Sequence, residues 1–534
     1  MKTKLITLLA SFLLLPSAFA APPNIIIFLA DDLGYADIGA NGCKDIPTPN
    51  IDSIAKNGVR FTDGYATHCV CSPSRAGLMS GRYQHRFGFE ANSGPEKYAA
   101  ENFGLPREEK TLAERLKPLG YATGMVGKWH IGFKEGLRPH ERGFDYHFGF
   151  LSGAHTYTPG ARDNDVIVRN GVPVKTTKYL TNEFADEAVG FIERCQGTKN
   201  EEPPTKNPAK PFFLYFAFNA VHEPLDESKY MERFPSLTGK RKTYAGMLSA
   251  LDDAIGRVLA KVRELGQEEN TLIFFYSDNG GPTHLTTSSN LPLRGEKAQF
   301  FEGGIREPFL AQWKGKLPAG AVYREMVMGF DCHATALAAA GGEFPTDKPL
   351  DGVNLLPFLT GEKSGRPHEQ LFWRSGGAHA ARVGDWKLVN TRTEPPMLFN
   401  LKDDIGETTD LAAKEPAKLK EVQAAFAEWE KDKKPAQWVR QDARTAEAGG
   451  KRKAATAPAT TPAAGRGTTR IDSAFKAADK NNDGKLTREE YPQKDIFDAV
   501  DADKDGFATL EEVRAYYAKR RVQPATKTTP EPKP

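Results

Sequence analysis

The sequence predicts an α/β fold, a mostly parallel central sheet flanked by helices, followed by a linker and a small α-helical module. Three observations predict it. Between Asn24 and about Lys433, short apolar runs alternate with amphipathic stretches. Residues 441–470 then lose all apolar periodicity and turn to Ala, Thr, Gly and Pro. Two acidic twelve-residue segments follow, each with a glycine at its sixth position.

The N-terminus stands apart. Lys2 and Lys4 precede an apolar run from Leu5 to Leu15, and Ala18-Phe19-Ala20 has the small-x-small pattern of a cleavage site. A signal peptide over 1–20 is expected, hence an exported chain, periplasmic or secreted. The run is too short to span a bilayer and no other stretch approaches about 20 apolar residues, so no transmembrane segment is expected. A chain of 534 residues has room for several domains, and 39% apolar with 26% charged residues is ordinary for a globular protein. The net charge of +3 gives no reason to expect a nucleic-acid partner. Five cysteines, Cys43, Cys69, Cys71, Cys195 and Cys332, are too few for a disulfide scaffold and odd in number.

Four runs read as buried strands: Ile25–Ala30, Tyr121–Val126, Phe212–Phe218 and Thr271–Ser277. The first ends at Asp31-Asp32, the second runs into Lys128 and His130, the third leads to His222, and the fourth ends at Asp278-Asn279-Gly280-Gly281. Ligands of an open parallel sheet gather beyond the carboxyl ends of its strands, so these groups can share one crevice. Taken singly, each has a plainer reading: Asp31 and Asp32 as a helix cap, Asp278-Asn279-Gly280 as a turn, His222, Lys128 and His130 as surface residues. Their common position at strand ends favours a site. Asp31, Asp32, Asp278 and Asn279 offer oxygen donors only, which suits a hard cation, calcium before magnesium, and disfavours zinc.

The stretch CVCSPSRAGLMSG (69–81) adds a nucleophile. Its C-x-C spacing alone leaves a metal site or a disulfide open. However, Cys71-Ser72-Pro73-Ser74-Arg75 with Ser80-Gly81 closely resembles the C-x-P-S-R signature of the formylglycine-dependent sulfatases, which share an alkaline-phosphatase-like fold. NIIIFLADDLGYADIG (24–39), GKWHIG (127–132), VHEP (221–224), SDNGG (277–281) and LRGEKAQFFEGGIREP (293–308) are similar to that family's other blocks, in its order. LFNLKDDIGETTDLA (398–412) resembles its C-terminal segment. The resemblance implies a catalytic domain over 24–345 and a smaller antiparallel-sheet subdomain over 346–437. It further implies that a maturation enzyme converts Cys71 to formylglycine (3-oxoalanine) before folding, reading the proline and arginine. The hydrated aldehyde then joins Asp31, Asp32, Asp278 and Asn279 around a calcium ion and attacks the sulfur of a sulfate ester. Arg75, Lys128 and Lys297 would balance charge, His222 would protonate the leaving alcohol, and His130 would act as base for release of sulfate. The N-terminal end of the helix suggested by SRAGLMSG would face the anion.

DKNNDGKLTREE (479–490) and DADKDGFATLEE (501–512) fit the EF-hand calcium loop, with oxygen ligands at positions 1, 3, 5, 9 and 12 and a backbone carbonyl at 7. The ligands would be Asp479, Asn481, Asp483, Lys485, Thr487 and Glu490, then Asp501, Asp503, Asp505, Phe507, Thr509 and Glu512. Only ten residues separate the loops, so one short helix is expected between them. The expected order is linker 438–470, EF-hand pair 471–520 and disordered tail 521–534, and no partner for the pair is legible.

The leading reading is an exported sulfatase acting on sulfated carbohydrate. Two alternatives stay open: a phosphodiester or phosphonate hydrolase of the same fold, and an inactive calcium-dependent binding protein.

Overall fold

The computed structural model describes residues 21–94, 99–160, 166–196, 210–438, 475, 478–481, 483–491 and 496–522. The expected signal peptide, the expected linker 438–470 apart from Trp438, and the expected tail 521–534 apart from its first two residues lie outside them; those two residues continue a helix that ends at Val522 rather than the expected disorder. The chain divides into two units, Met1–Asp442 and Ala443–Pro534. Among the described residues no helix is long and apolar enough to cross a membrane.

In the first unit the elements that place the site are, in chain order, β1 (Asn24–Ala30), α1 (Pro49–Lys56), β2 (Val59–Phe61), α2 (Cys71–Ser80), β3 (Ala122–Lys128), β4 (Tyr146–Phe150), α3 (Leu180–Gln196), β5 (Phe212–Ala217), α4 (Gly239–Glu264), β6 (Thr271–Ser277), β7 (Phe309–Gln312), β8 (Ala321–Tyr323) and α5 (Gly329–Ala339). The strands form a sheet in the order β8-β2-β7-β6-β1-β5-β3-β4, extended by a hairpin of Val168–Arg169 and Val172–Pro173. Its centre, β6-β1-β5-β3-β4, is parallel, and β7 runs antiparallel to both β6 and β2. This is the expected α/β class.

Alternation along each strand sends successive side chains to opposite faces, and here both faces are covered. Ile26, Phe28, Phe216 and Phe275 pack with Ile51 of α1, Phe184 of α3 and Leu251 of α4. Ile25, Ile27, Tyr215 and Phe274 pack with Leu78 of α2 and Cys332 of α5 on the other side. The four expected strands are therefore continuous apolar runs rather than alternating ones. Their ends differ slightly from expectation: β3 continues to Lys128, because Lys128 still pairs with Phe150 of β4, and β5 stops at Ala217.

Later in the same unit, β9 (Gln370–Ser375), β10 (Ala378–Val383), β11 (Trp386–Asn390) and β12 (Met397–Asn400) form an antiparallel sheet in sequence order. Helix α6 (Pro416–Glu430) covers it through Val422 and Phe426, against Phe372, Leu388 and Leu398.

One ion pair in this region sets a pH dependence. His368 Nε2 lies 2.9 Å from the buried Asp331 carboxylate. Burial opposes its charge, but Asp331, helped by Asp351, prevails and holds the ring above its ordinary 6.5. A raised histidine stabilises the fold fully below its unfolded value, and that contribution is lost as pH rises through the folded one. Thermal midpoints of the parent should therefore fall relative to His368→Gln as pH rises above the ordinary histidine value. Parallel curves would remove this assignment.

In the second unit, β13 (Lys485–Thr487) pairs antiparallel with β14 (Phe507–Thr509), and α7 (Leu510–Val522) follows. Phe475, Leu486, Tyr491, Phe497, Val500, Ala508 and Val513 form one small core, so the two acidic repeats share an interior. The segment between the loops contains the helical turn Phe497–Val500.

Candidate active site

The register of the parallel strands decides where the site lies. Ala30 of β1 is level with Ser277 of β6, while Leu29 of β1 and Gly127 of β3 are both level with Ala217 of β5. The residues that follow, Asp31, Asp278 and Lys128, therefore emerge side by side at one edge. Asp32 and His130 take positive φ values of 62° and 59° there, a sharp turn of the backbone just after each strand. Gly280 permits a further close approach, since a Cβ on it would stand 1.9 Å from the Gly303 carbonyl oxygen. That contact joins the segment of Asp278 and Asn279 to the segment that carries Lys297.

Helix α2 presents Cys71 at its first residue and is buried along its whole length. It begins three residues before the stretch SRAGLMSG. The Cys71 thiol lies 3.6 Å from Asp31 Oδ1. One turn on, Arg75 grips Asp278 Oδ2 with Nε at 2.8 Å and Nη2 at 2.7 Å, and Nη1 donates to the Lys128 carbonyl at 3.0 Å. Lys128 Nζ is 2.6 Å from Asp31 Oδ2, and both side chains are fully buried. Lys297 Nζ is 2.7 Å from Asp32, which also accepts from Asn279 Nδ2 at 2.7 Å. His222 Nε2 stands 3.6 Å from Asp32 Oδ2. The surface readings of Lys128 and His130 do not hold, because both are buried, and His222, half-buried, is drawn to the cluster by Asp32.

The electrostatics follow from this geometry. Three carboxylates, Asp31, Asp32 and Asp278, face three cations, Arg75, Lys128 and Lys297. Burial would raise the Asp31 carboxyl, yet Lys128, His222, Arg75 and Lys297 hold it well below its ordinary range. Burial, with the Asp31 charge beside it, pushes Asp278 up. Burial opposes the charge of Lys297, but Asp32 overrides it and raises the ammonium's pKa. Burial keeps His222 and His130 below the ordinary histidine value, and Lys128 and Arg75 depress His130 further. Burial also pushes the Cys71 thiol up to about 12.

The carboxylate and amide oxygens suit a hard cation, although the cluster also brings in a sulfur from Cys71 and a nitrogen from His222. Ligand atoms of Asp31, Asp32, Cys71 and His222 lie within 4.8 Å of one another, and Asn279 Oδ1 is buried without a hydrogen-bond partner. An orphaned amide oxygen beside carboxylates is what a calcium ion would satisfy.

Sequence reasoning missed the bracing around Cys71. Ser72 and Ser93 both donate to the His130 carbonyl, at 2.6 and 2.8 Å, and His130 Nε2 contacts the Ser93 carbonyl at 3.0 Å. Ser72 N donates to Asn92 Oδ1 at 3.0 Å. No local pattern marks Asn92 or Ser93. Lys387 of β11 was missed as well: fully buried, it pairs with Glu302 at 2.7 Å and Glu407 at 2.9 Å, tying the small sheet to the segment of Lys297.

The sulfatase family model matches residues 23–342, from the start of β1 into the residues after α5. The chain belongs to the sulfatase family. Pig (Sus scrofa) N-acetylgalactosamine-6-sulfatase is 36% identical over 387 residues, covering 68% of this chain and 71% of its own. Bovine (Bos taurus) arylsulfatase A is 34% identical over 437 residues, 74% and 84% of the two chains. Among solved structures, Ps i-CgsB in complex with k-i-k-neocarrahexaose superposes with a TM-score of 0.73 at 35% identity, over 80% of this sulfatase and 96% of that chain. The PsFucS1 sulfatase from Pseudoalteromonas sp. gives 0.65 at 27%, over 76% and 89%. An EF-hand family model matches residues 471–491 and 494–515, covering both acidic loops. The protein is thus a sulfuric ester hydrolase with a C-terminal EF-hand region.

Proposed function

We propose that this sulfatase is exported and removes sulfate from a sulfated carbohydrate, using a formylglycine at position 71 and a calcium ion held by Asp31, Asp32, Asp278 and Asn279. The observation that carries the reading is the placement of Cys71, at the first residue of α2 and 3.6 Å from Asp31 within the charged cluster. Burial there pushes the plain thiol up, which makes an unmodified cysteine a poor nucleophile. A formylglycine at position 71 would supply, as its hydrate, one oxygen as nucleophile toward sulfur and a second whose deprotonation would release sulfate. Calcium, when bound, supplies Lewis acidity and counter-charge.

The chain's own residues divide the remaining work. Lys128 and Lys297 face the anion, and Arg75 fixes Asp278 against the turn after β3. Donors preorganised in a dry site stabilise developing charge without further reorganisation. His130 Nε2 contacts a carbonyl, so it carries the hydrogen, and the buried, unpartnered Nδ1 keeps a lone pair. That nitrogen can take up the proton released as sulfate departs. His222 serves the leaving alcohol oxygen: burial keeps the free ring neutral, and an arriving sulfate favours its protonated form.

Sulfated carbohydrate is supported by relatives named N-acetylgalactosamine-6-sulfatase and by the k-i-k-neocarrahexaose in complex with Ps i-CgsB. The test has two parts: the mass of tryptic peptide Phe61–Arg75 from protein made with a maturation enzyme, and release of sulfate by the same sample. Aldehyde or hydrate at Cys71 with sulfate release is expected. Faster turnover of phosphodiesters than of any sulfate ester would transfer the site to the phosphodiesterase reading.

The EF-hand loops are proposed to hold two further calcium ions, one on Asp479, Asn481, Asp483, Lys485, Thr487 and Glu490 and one on Asp501, Asp503, Asp505, Phe507, Thr509 and Glu512. Gly484 and Gly506 provide the sharp sixth-position turn, with φ of 82° and 88°. Carboxylate oxygens of Asp501, Asp503 and Glu512 cluster within 4.8 Å, and Asp501 Oδ1 is buried without a partner. Glu490→Gln and Glu512→Gln should each weaken one calcium site by about tenfold or more, read by titration calorimetry on the full chain. Unchanged isotherms would exclude these loops as sites.

A further inference from the structure

A cleft of about 470 Å³ lies beside the catalytic cluster and is not used by the chemistry above. One wall is made by Cys69 and Val70, immediately before Cys71, and by Ala298 and Gln299, immediately after Lys297. The two sides of this wall are held together by Ala298 N, which donates to the Cys69 carbonyl at 2.8 Å. The opposite wall is the small antiparallel sheet, through the end of β11 and the turn Thr391–Glu394. The cleft therefore starts where the nucleophile and Lys297 end and runs towards a separate sheet. Its size is that of a binding site for a small molecule or a sugar unit.

Arg392 is the cation on that far wall. The cations of the catalytic cluster are each paired with an aspartate, but no carboxylate among the described residues pairs with Arg392, although Glu394 sits on the same turn. Its Nη2 donates to the Ser375 carbonyl at 3.2 Å. The side chain lies over Gly376 and Gly377, where an added Cβ would come 3.4 Å from Nη2 and 3.9 Å from Cγ. The stem is thus seated on a glycine turn and one donor is spent, while the rest of the guanidinium fork is exposed and unspent. A preorganised, unpaired arginine is suited to a planar or tetrahedral oxyanion.

We propose that this cleft is a subsite for the sugar next to the one being desulfated, and that Arg392 recognises a second anionic group, sulfate or carboxylate, on that sugar. The proposal rests on the sulfated-carbohydrate reading and narrows it to multiply charged chains. Arg392 is a specificity residue and takes no part in the bond-breaking step.

The test uses full-length protein. Binding of carrageenan, chondroitin sulfate and heparan sulfate hexasaccharides, and of singly sulfated monosaccharides, is measured by calorimetry on Cys71→Ser and on Cys71→Ser/Arg392→Gln, with Arg392→Lys as the partial replacement. Turnover of 4-nitrophenyl sulfate, which carries no second sugar, is measured on matured parent and matured Arg392→Gln. The expected result is a loss of roughly ten- to a hundredfold in affinity for the tightest hexasaccharide, little change for monosaccharides, partial recovery with lysine, and aryl sulfate turnover within about twofold of the parent. Equal losses for hexasaccharide and monosaccharide, no loss at all, or no hexasaccharide bound more tightly than a monosaccharide would each overturn the subsite. Absence of sulfate release from every ester by matured parent overturns the hydrolase reading instead, and leaves the binding comparison to judge Arg392 on its own.

Discussion

Replacing Cys71 by serine is expected to lower sulfate-ester turnover by roughly 10⁴-fold or more while the thermal midpoint stays within a few degrees of the parent. The side chains are nearly isosteric and Cys71 donates only a weak contact to Asp31, so the fold loses little. On the proposed mechanism the chemistry would lose its nucleophile, because a serine carries one oxygen on that carbon and cannot regenerate itself by expelling sulfate. The comparison is made on purified protein with peptide mass, melting curve and turnover from one preparation. Turnover of the serine variant within tenfold of the parent would show that position 71 is not the nucleophile.

Asp32→Asn is expected to cost at least about a hundredfold in turnover and to remove one calcium ion per chain. Changing the outer partner of a metal ligand already costs about 10- to 100-fold in affinity or activity, and Asp32 is proposed as a ligand itself. The charge argument points the same way. With Asp32 neutral, three cations would face two carboxylates, and Lys297 would lose its 2.7 Å partner and bring uncompensated positive charge to the cation site. Elemental analysis separates this ion from those of the EF-hand loops: the count should fall by one in Asp32→Asn, and should fall independently in Glu490→Gln and Glu512→Gln. A full complement of calcium in Asp32→Asn would place the ion elsewhere.

Arg75 shows how much of the cluster was readable in advance, and why the rest was not. The sequence puts it four residues after Cys71, one helical turn, which is enough to predict that both face the same crevice. It cannot reveal that Arg75 meets Asp278, 203 residues away, because that contact is set by how α2 packs on the face of the sheet that carries β6. The strand-end residues were legible since a parallel sheet buried on both faces leaves continuous apolar runs, and the polar residue that breaks each run marks its carboxyl end. Ser93 and Asn92 were not legible, because they act through single hydrogen bonds that leave no periodicity. Neither was Lys387, a lysine in a short strand that reads as solvent-facing until Glu302 and Glu407 are seen to enclose it. Arg392 belongs to the same class: its meaning depends on which wall of a cleft it occupies.

The burial of helix α2 has a consequence in time as well as in space. Cys71, Pro73 and Arg75 are all sealed beneath the sheet edge in the finished fold, with Cys71 and Arg75 at 1% and 0% exposure. Another protein can read these residues only while the chain is still open. Under the proposed conversion of Cys71, the fraction of molecules able to turn over would then be decided by a race between the modifying catalyst and closure of the domain, and each molecule would carry its outcome for the rest of its life. Substitutions that speed closure would yield well-folded but silent protein, and those that delay it would yield more competent molecules from the same number of chains.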